Sequence, residues 1–509
     1  MTADARYRKP VYGGTRGTGL GLRALSRHLR VDLVWNGELG PLCQVERSAE
    51  AEGPFERIDD GRRNVPVFSD FVGAAAKTHY YRVRKQLSEE RFSDWSDVVE
   101  GESSRAQTRD ELLTEVQEAC FRYFWHGAHP TSGVALEGVP RGTNPCTSGA
   151  TGMGLFTLVV GVERGFVARD ACARRVLKIL RFLEEKAERF HGAYPHWFDG
   201  ATGRTIPFSR NDNGADLVES AYLAEGLLLL REYFTCDVPD EVEIRRLADG
   251  LWRAIDWAWF LRTSDRGPYL KWHSPDGMRM GIHGFNECQI VYLLALGSPT
   301  HPVAPEVYWK GWERYRDEMP RAHFGIPNEL GHGMGGPLFF THYSYMGFDP
   351  RTIRFRDRTY FDHFRNLALI QAKYARSRKD DFTGYGPLWG LTASYNPKGY
   401  KAHAPGGGDD GTITPTAALS SFPYTPDESM SCLIEMYENH GGRLWGEFGF
   451  YDAFNFSVDW VSHGFLGIDQ GPIAPMIENH RTGLCWRVFM KAPEMARVVK
   501  LLSEGNRPR

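Results

Sequence analysis

The sequence has no run of eighteen apolar residues, so no membrane-spanning helix is expected. It has no long basic run either, and its 61 Lys and Arg nearly balance 64 Asp and Glu. A net charge of −3 argues against nucleic acid as the main partner. Cysteine is sparse: eight residues, placed singly, with no CxxC pair. Several, such as Cys120 and Cys288, fall in apolar helical contexts and read as reduced core residues, not as a disulfide frame or a zinc site. The first fourteen residues are polar and contain no hydrophobic signal segment. The expectation is a cytoplasmic protein if the chain is complete as given, and a periplasmic or secreted one if a leader has been removed. No GxSxG elbow, phosphate-binding P-loop or HExxH motif occurs. The 17 His are spread through loops without an i, i+4 pair beside a suitable carboxylate. Neither a metal nor another cofactor is therefore expected.

Aromatic residues, by contrast, are plentiful. They make up 13% of the chain, with 14 Trp and 22 Tyr, more than packing alone requires. Flat, half-polar rings serve as platforms for sugars, although many must simply fill the core.

Three regions differ in pattern. Residues 1–18 form a Gly-, Arg- and Thr-rich lead-in. Residues 19–105 show period-two alternation, as in Val31, Leu33 and Trp35 and again around Tyr81 and Val83, with turn signals between. That pattern predicts a small antiparallel sandwich similar to a fibronectin type III module, a type that usually acts as a spacer or docking surface. From 109 to 505 the period is helical. Twelve segments are predicted, near 109–126, 148–164, 168–189, 215–234, 239–261, 286–297, 303–319, 359–376, 414–420, 426–439, 471–481 and 492–503. Long Gly-, Pro-, Trp- and His-rich connections separate them (191–213, 325–358, 382–412), and loops of that length are usually functional. Six helix pairs with elaborate loops at one end fit a mainly α fold, an (α/α)6 barrel.

Carboxylates punctuate those loops. Asp212, Asp216 and Glu219 stand at i, i+4 and i+7 where a helix begins. They suit a polar substrate or proton transfer, or else helix capping and dipole compensation. Glu287 follows a Gly-rich loop and Asn286, at the head of the apolar run Ile290–Leu296. A carboxyl placed so, in an apolar pocket, keeps its proton and can act as a general acid; the alternative is a solvent-facing helix start. The stretch 335–345 offers His342 and Tyr343 to hydroxyl groups, or is a buried, satisfied loop. Trp389 offers a sugar-stacking face, with Thr392 beside it, while Asp409 and Asp410 read equally well as turn residues. Tyr451 precedes Asp452. Asp452 and Asp469 each sit among apolar neighbours, an expensive place for an idle charge, although Asp469 also suits a helix cap.

Together these stretches resemble glycoside hydrolase family 144, the glycoamylase-like enzymes acting on β-1,2-glucan. The carrying residues are Asp212–Glu219 with Gly226-Leu227-Leu228, Gly284-Phe285-Asn286-Glu287, Ser298–Pro302, Gly336–Ser344, Trp389–Ser394, Thr425-Pro426, Gly449–Asn455 and Ile468–Gly471. The resemblance runs from about 109 to 505. It implies an (α/α)6 barrel and a metal-free, anomer-inverting cleavage of β-1,2-glucan or β-1,2-linked glucooligosaccharides. Glu287 falls on the general-acid position, and Asp212, Asp216 and Glu219 on acids lining the cleft. The base is Asp469 or Asp452, with Asp469 favoured. The acid cluster is expected to grip sugar hydroxyls in ionised form, while Glu287 delivers the proton. A transglycosylase on the same scaffold and a non-catalytic glycan-binding protein are the alternatives. The His283 and Cys288 flanks of the Asn-Glu pair, and the missing signal peptide, depart from the family pattern. They leave endo or exo action and substrate length open, and no feature points to an oligomeric state.

Overall fold

In the computed structural model the described residues are 19–504, except 38, 62–63, 105–106, 140–144, 265–266, 275–276, 316–320 and 332. The predicted lead-in, 1–18, lies outside them.

Two small sheets open the chain. Arg23–Arg27, Arg30–Val34 and Val67–Phe71 form one. Glu56–Arg57, Cys43–Ser48, Thr78–Lys85 and Val99–Glu102 form the other, in that order across the sheet. Three strands against four is the arrangement expected of a fibronectin-like sandwich. Its core contains the alternating residues read from the sequence, Val31, Leu33, Trp35, Tyr81 and Val83, joined by Val45 and Phe68, all buried.

The sandwich is docked rather than merely tethered. The first barrel helix, α1 (Arg109–His126), opens with a capping box in which Thr108 and Glu111 satisfy each other's backbone N–H groups. It is buried along almost its whole length, charged residues included. The reason lies opposite it. Arg30 and Asp32 of the second strand are wholly inaccessible to solvent. Asp32 Oδ2 accepts from Arg122 of α1 at 2.7 Å, Arg30 stands 3.0 Å from Glu115, and Arg27 reaches Glu118 at 2.6 Å. Arg30 also donates to the Tyr437 hydroxyl and stacks over Trp445 at 4.3 Å.

The barrel follows from the polarity of its helices. α2 (Ser148–Glu163) and α4 (Leu217–Tyr233) are buried nearly all round, and α6 (Gln289–Gly297) completely. They form the inner wall. Between them in the chain, α3 (Arg169–Glu185) and α5 (Pro239–Arg253) bury only one stripe and turn Arg, Lys and Glu to solvent, so they lie outside. α2 and α4 pack backbone to backbone. A Cβ at Gly152 would lie 2.2 Å from the Tyr222 carbonyl oxygen, and one at Gly226 would lie 2.5 Å from that of Gly152. The later helices are Tyr360–Ser377, Pro415–Leu419, Pro426–Ile434, Gly441–Leu444, Gly467–Gln470, Ile473–Arg481, Leu484–Phe489 and Pro493–Glu504.

The expected segments are recovered with three differences. The helix predicted to run to 261 ends at Arg253. Asp256 stops it by donating its N–H to the His191 carbonyl and accepting the Trp259 N–H on Oδ1 at 3.1 Å. The chain then builds a three-stranded sheet, Leu261–Ser264, Gly267–Ser274 and Gly277–Ile282, that its mixed pattern did not reveal. The segment predicted at 303–319 is broken into single turns of different pitch between Pro305 and Tyr315. No described helix is long and apolar enough to cross a membrane.

Candidate active site

The loops at one end of the barrel bring two groups of carboxyls together. The first is set on the start of α4. Asp216 is its N-cap, Oδ1 accepting the Val218 and Glu219 N–H groups at 2.8 and 3.1 Å. Its other oxygen lies 3.3 Å from His196 Nδ1, which also donates to Asp212 Oδ2 at 2.8 Å. Capping and site roles thus coincide in one side chain. Glu219 lies 4.0 Å from His196 Nε2 and accepts the Gly149 N–H at 2.9 Å. That approach needs glycine, because a Cβ on residue 149 would lie 2.2 Å from the carboxylate oxygen.

The charge state differs from the three ionised acids expected. Burial would deprotonate His196, but Glu219, Asp212 and Asp216 around it outweigh that and hold it as imidazolium, well above its usual range. Burial pushes Glu219 up to about 8 against the pull of the His196 imidazolium, and it raises Asp212 as well. His196, Asp212 and Asp216 offer ligand atoms within 4.8 Å of one another, a donor set that would suit a cation. The imidazolium already occupies the face between the two aspartates.

Glu287 lies one residue before the Cys288 N-cap of α6, in a turn closed by Asn286. Asn286 Nδ2 donates to the His283 carbonyl at 2.8 Å and its Oδ1 accepts the Cys288 N–H at 3.0 Å. The Glu287 carbonyl takes the hydroxyls of Ser344 and, at 3.3 Å, Tyr222. The backbone is therefore pinned, and the half-buried side chain faces the cleft with Asp216 as its nearest charge of note. Burial pushes its carboxyl up to about 7, and Asp216 adds to the effect.

The second group comes from the far end of the chain. Asp452 Oδ2 accepts the Tyr395 N–H at 2.8 Å, and Asp469 Oδ1 accepts the Tyr343 hydroxyl at 3.1 Å. Asp452 Oδ1 and Asp469 Oδ2 meet no N–H or hydroxyl donor among the described residues. The two carboxyls lie close enough to act on each other's titration. Burial and then the neighbouring Asp452 drive Asp469 well above its usual range, and burial raises Asp452 to about 7. The two therefore titrate as a pair, both held above the usual carboxylate range.

Of the other residues singled out, Tyr343 is in the site, bonded to Asp469. Trp389, expected as a sugar platform, is 2% exposed and donates its indole N–H to the Glu428 carbonyl at 3.2 Å; it is core. Thr392 is buried and receives the Phe339 N–H at 3.1 Å. His342 is buried against Ser421 at 3.0 Å and held neutral by burial, its titration pushed down to about 3. Tyr451 packs against His463 and Phe465. Asp409 is a loop tether, accepting the hydroxyls of Tyr374 and Tyr385 at 3.0 and 2.7 Å. These residues shape the loops that carry the site.

Comparison with known proteins fits this geometry. A family model described as glycoamylase, putative glucoamylase, matches residues 279–493. An exo-β-1,2-glucooligosaccharide sophorohydrolase (non-reducing end) from Parabacteroides distasonis is 42% identical over 458 residues, covering 85% of this chain. This chain spans 63% of that relative's length. The crystal structure of a β-1,2-glucanase from the same organism superposes with a TM-score of 0.89 at 38% identity, over 96% of this chain and 73% of the other. An endo-β-1,2-glucanase from Chitinophaga pinensis, solved with sophorotriose and glucose, gives a TM-score of 0.74 at 42% identity over 78% of this chain and 98% of its own. The chain belongs to glycoside hydrolase family 144.

Three members of this family 144 cleft were missed in the sequence. His196 lies in the long 191–213 connection, flagged as functional only as a whole. Glu137 precedes a two-residue strand, Gly138–Val139, paired with Phe465–Leu466, and its carbonyl accepts the Gly467 N–H at 2.8 Å. Its charge acts on Glu219, Asp452 and Asp469 alike, which sets it between the two carboxyl groups. Tyr400 is the third. Nothing in local pattern marks Glu137 or Tyr400: the strand after Glu137 pairs with the distant Phe465–Leu466, and Tyr400 owes its place to hairpin pairing.

Proposed function

We propose that this chain is an anomer-inverting glycoside hydrolase acting on β-1,2-glucan or β-1,2-linked glucooligosaccharides. The observation that carries the proposal is a carboxyl on a pinned backbone, Glu287, set apart from two buried carboxyls, Asp452 and Asp469, each with one oxygen left without an N–H or hydroxyl donor among the described residues. Inversion needs an acid on the leaving oxygen and a base on a water at the opposite face, roughly 6.5–9.5 Å apart. Glu287 supplies the acid, and its pinned backbone holds it at the leaving group. The aspartate pair supplies the base, directly or through a bridging water or sugar hydroxyl. The base is assigned to the pair, Asp469 with Asp452, and not to one member of it. His196, Asp212, Asp216 and Glu219 bind sugar hydroxyls, with both donors and acceptors on offer. The substrate class rests on the named activities of the relatives.

The test is incubation with β-1,2-, β-1,3- and β-1,4-glucans, with products followed by proton NMR from the first turnovers. The expected result is cleavage of the β-1,2-glucan alone, releasing the α-anomer first. Initial release of the β-anomer, glucosyl transfer to an added sugar in place of hydrolysis, or inactivity on β-1,2-glucan would each overturn the reading.

A further inference from the structure

The hairpin Ala393–Asn396/Gly399–Ala402 stands beside the Asp452–Asp469 pair, bonded to it through the Tyr395 N–H. Its root is fastened by Asp410, which takes the Asn396 amide at 3.4 Å and lies 3.5 Å from Lys401 Nζ and 3.2 Å from His403 Nε2. Its first strand is fastened by the Tyr395 N–H on Asp452. Tyr395 and Tyr400 are directly opposite in the register, so their side chains share one face of the hairpin, with ring centroids 6.5 Å apart, edge to face. That face looks into the cleft, because a Cβ on Gly138, next to Glu137, would lie 3.3 Å from the Tyr395 hydroxyl.

Tyr400 combines two properties that rarely coincide. It is 58% exposed, among the most exposed large rings of the chain. Yet its hydroxyl is crowded by protein and stands within electrostatic reach of Asp469, Asp452, Glu137 and Glu219, and of the Tyr343 hydroxyl. An exposed ring beside those carboxyls stands where a ligand entering the cleft would meet it. An aromatic ring left uncovered in such a place costs hydrophobic free energy that a sugar's apolar face recovers on binding.

We propose that Tyr400 is a sugar-binding residue, its ring packing on the glucosyl unit held between the Asp452–Asp469 pair and Glu219. The inference rests on the proposed β-1,2-glucan activity. Burial and the nearby Asp469, Asp452, Glu137 and Glu219 hold the hydroxyl well above its usual range, so it stays a neutral donor and the ring is the binding surface.

The experiment is calorimetric titration of a β-1,2-linked glucotetraose into Glu287→Gln, which cannot turn it over, with and without a change at Tyr400. Tyr400→Ala is expected to weaken binding at least fivefold, Tyr400→Phe and Tyr400→Trp less than fivefold, and the thermal midpoint is expected to stay unchanged because the ring is exposed. An effect of Tyr400→Ala smaller than fivefold, or a loss in Tyr400→Phe equal to that in Tyr400→Ala, overturns the assignment. If the wild-type chain fails to cleave β-1,2-glucan and Glu287→Gln fails to bind the tetraose, the functional reading itself has failed, and the two failures are distinguished.

Discussion

Replacing Glu287 by Gln removes the acid while keeping the side chain's shape, and it should act on activity and stability in opposite directions. In the folded chain burial raises the carboxyl from 4.5 to about 7. The rise corresponds to roughly 3 kcal/mol by which ionisation is disfavoured, and about 2–3 kcal/mol is expected because the group is only half-buried. In the unfolded chain Glu287 ionises near its ordinary value. Between that value and about pH 7 the folded state therefore binds more protons than the unfolded state, and stability falls as pH rises. Above about 7 the folded protein carries a desolvated carboxylate and the loss is complete. Gln does not titrate. The stability of Glu287→Gln relative to wild type should thus grow by about 2–3 kcal/mol between pH 4.5 and 8.5, read from urea midpoints of both proteins at each pH. Over the same range, kcat on β-1,2-glucan should fall by about 10²- to 10⁴-fold with KM little changed, the usual contribution of a positioned acid. A stability difference that does not change with pH would mean that Glu287 is not perturbed. Near-full turnover in the variant would remove it from the chemistry.

The remaining predictions concern the other parts of the cleft and the docked sandwich. Asp452→Asn and Asp469→Asn should each lower kcat by orders of magnitude, read from initial rates; near-full turnover in either would remove that residue from the base. Gly149→Ala forces Glu219 out of its place, so it should cost about 1–3 kcal/mol of stability and raise KM, with urea melts and initial rates as the readouts. Asp32→Ala strands Arg30 and Arg122 in the interface and should cost about 3–5 kcal/mol, seen as a lower unfolding midpoint. An Asp32→Ala protein as stable as wild type would mean the ionic cluster does not hold the sandwich to the barrel.

The fold was legible because helices and strands are written in local periodicity. α3 and α5 declare themselves through one apolar stripe, and the sandwich through residues such as Val31 and Leu33. Where two signals compete, the reading failed. The run 254–264 carries Trp, Phe and Leu at helical spacing, and only Asp256, bonding back to His191 some 65 positions earlier, ends the helix. A contact across that distance leaves no local mark. The docking of the sandwich is similar. Arg30 and Asp32 look like solvent-facing residues between apolar neighbours, and their burial depends on Glu115, Glu118 and Arg122 arriving from α1.

The site divides along a finer line. Most of the carboxyls were found because a charge among apolar neighbours is conspicuous, whatever its partner; Glu137 was the exception. Neutral polar residues were not sorted correctly, because a motif gives no indication of which of its members faces the cleft. His342, Tyr343 and Ser344 are consecutive, yet they do three different things. His342 bonds Ser421 inside the core, Tyr343 bonds Asp469, and Ser344 donates to the Glu287 carbonyl and accepts the Ile290 N–H. In an irregular short-pitched turn each successive side chain points in a different direction, so adjacency carries no information about facing. Trp389 and Tyr400 make the same point from opposite sides: the tryptophan in a family motif is buried, and the tyrosine outside any motif stands in the cleft. The residues that touch substrate are therefore better sought by asking which rings are surrounded by protein and still wet than by asking which belong to a motif.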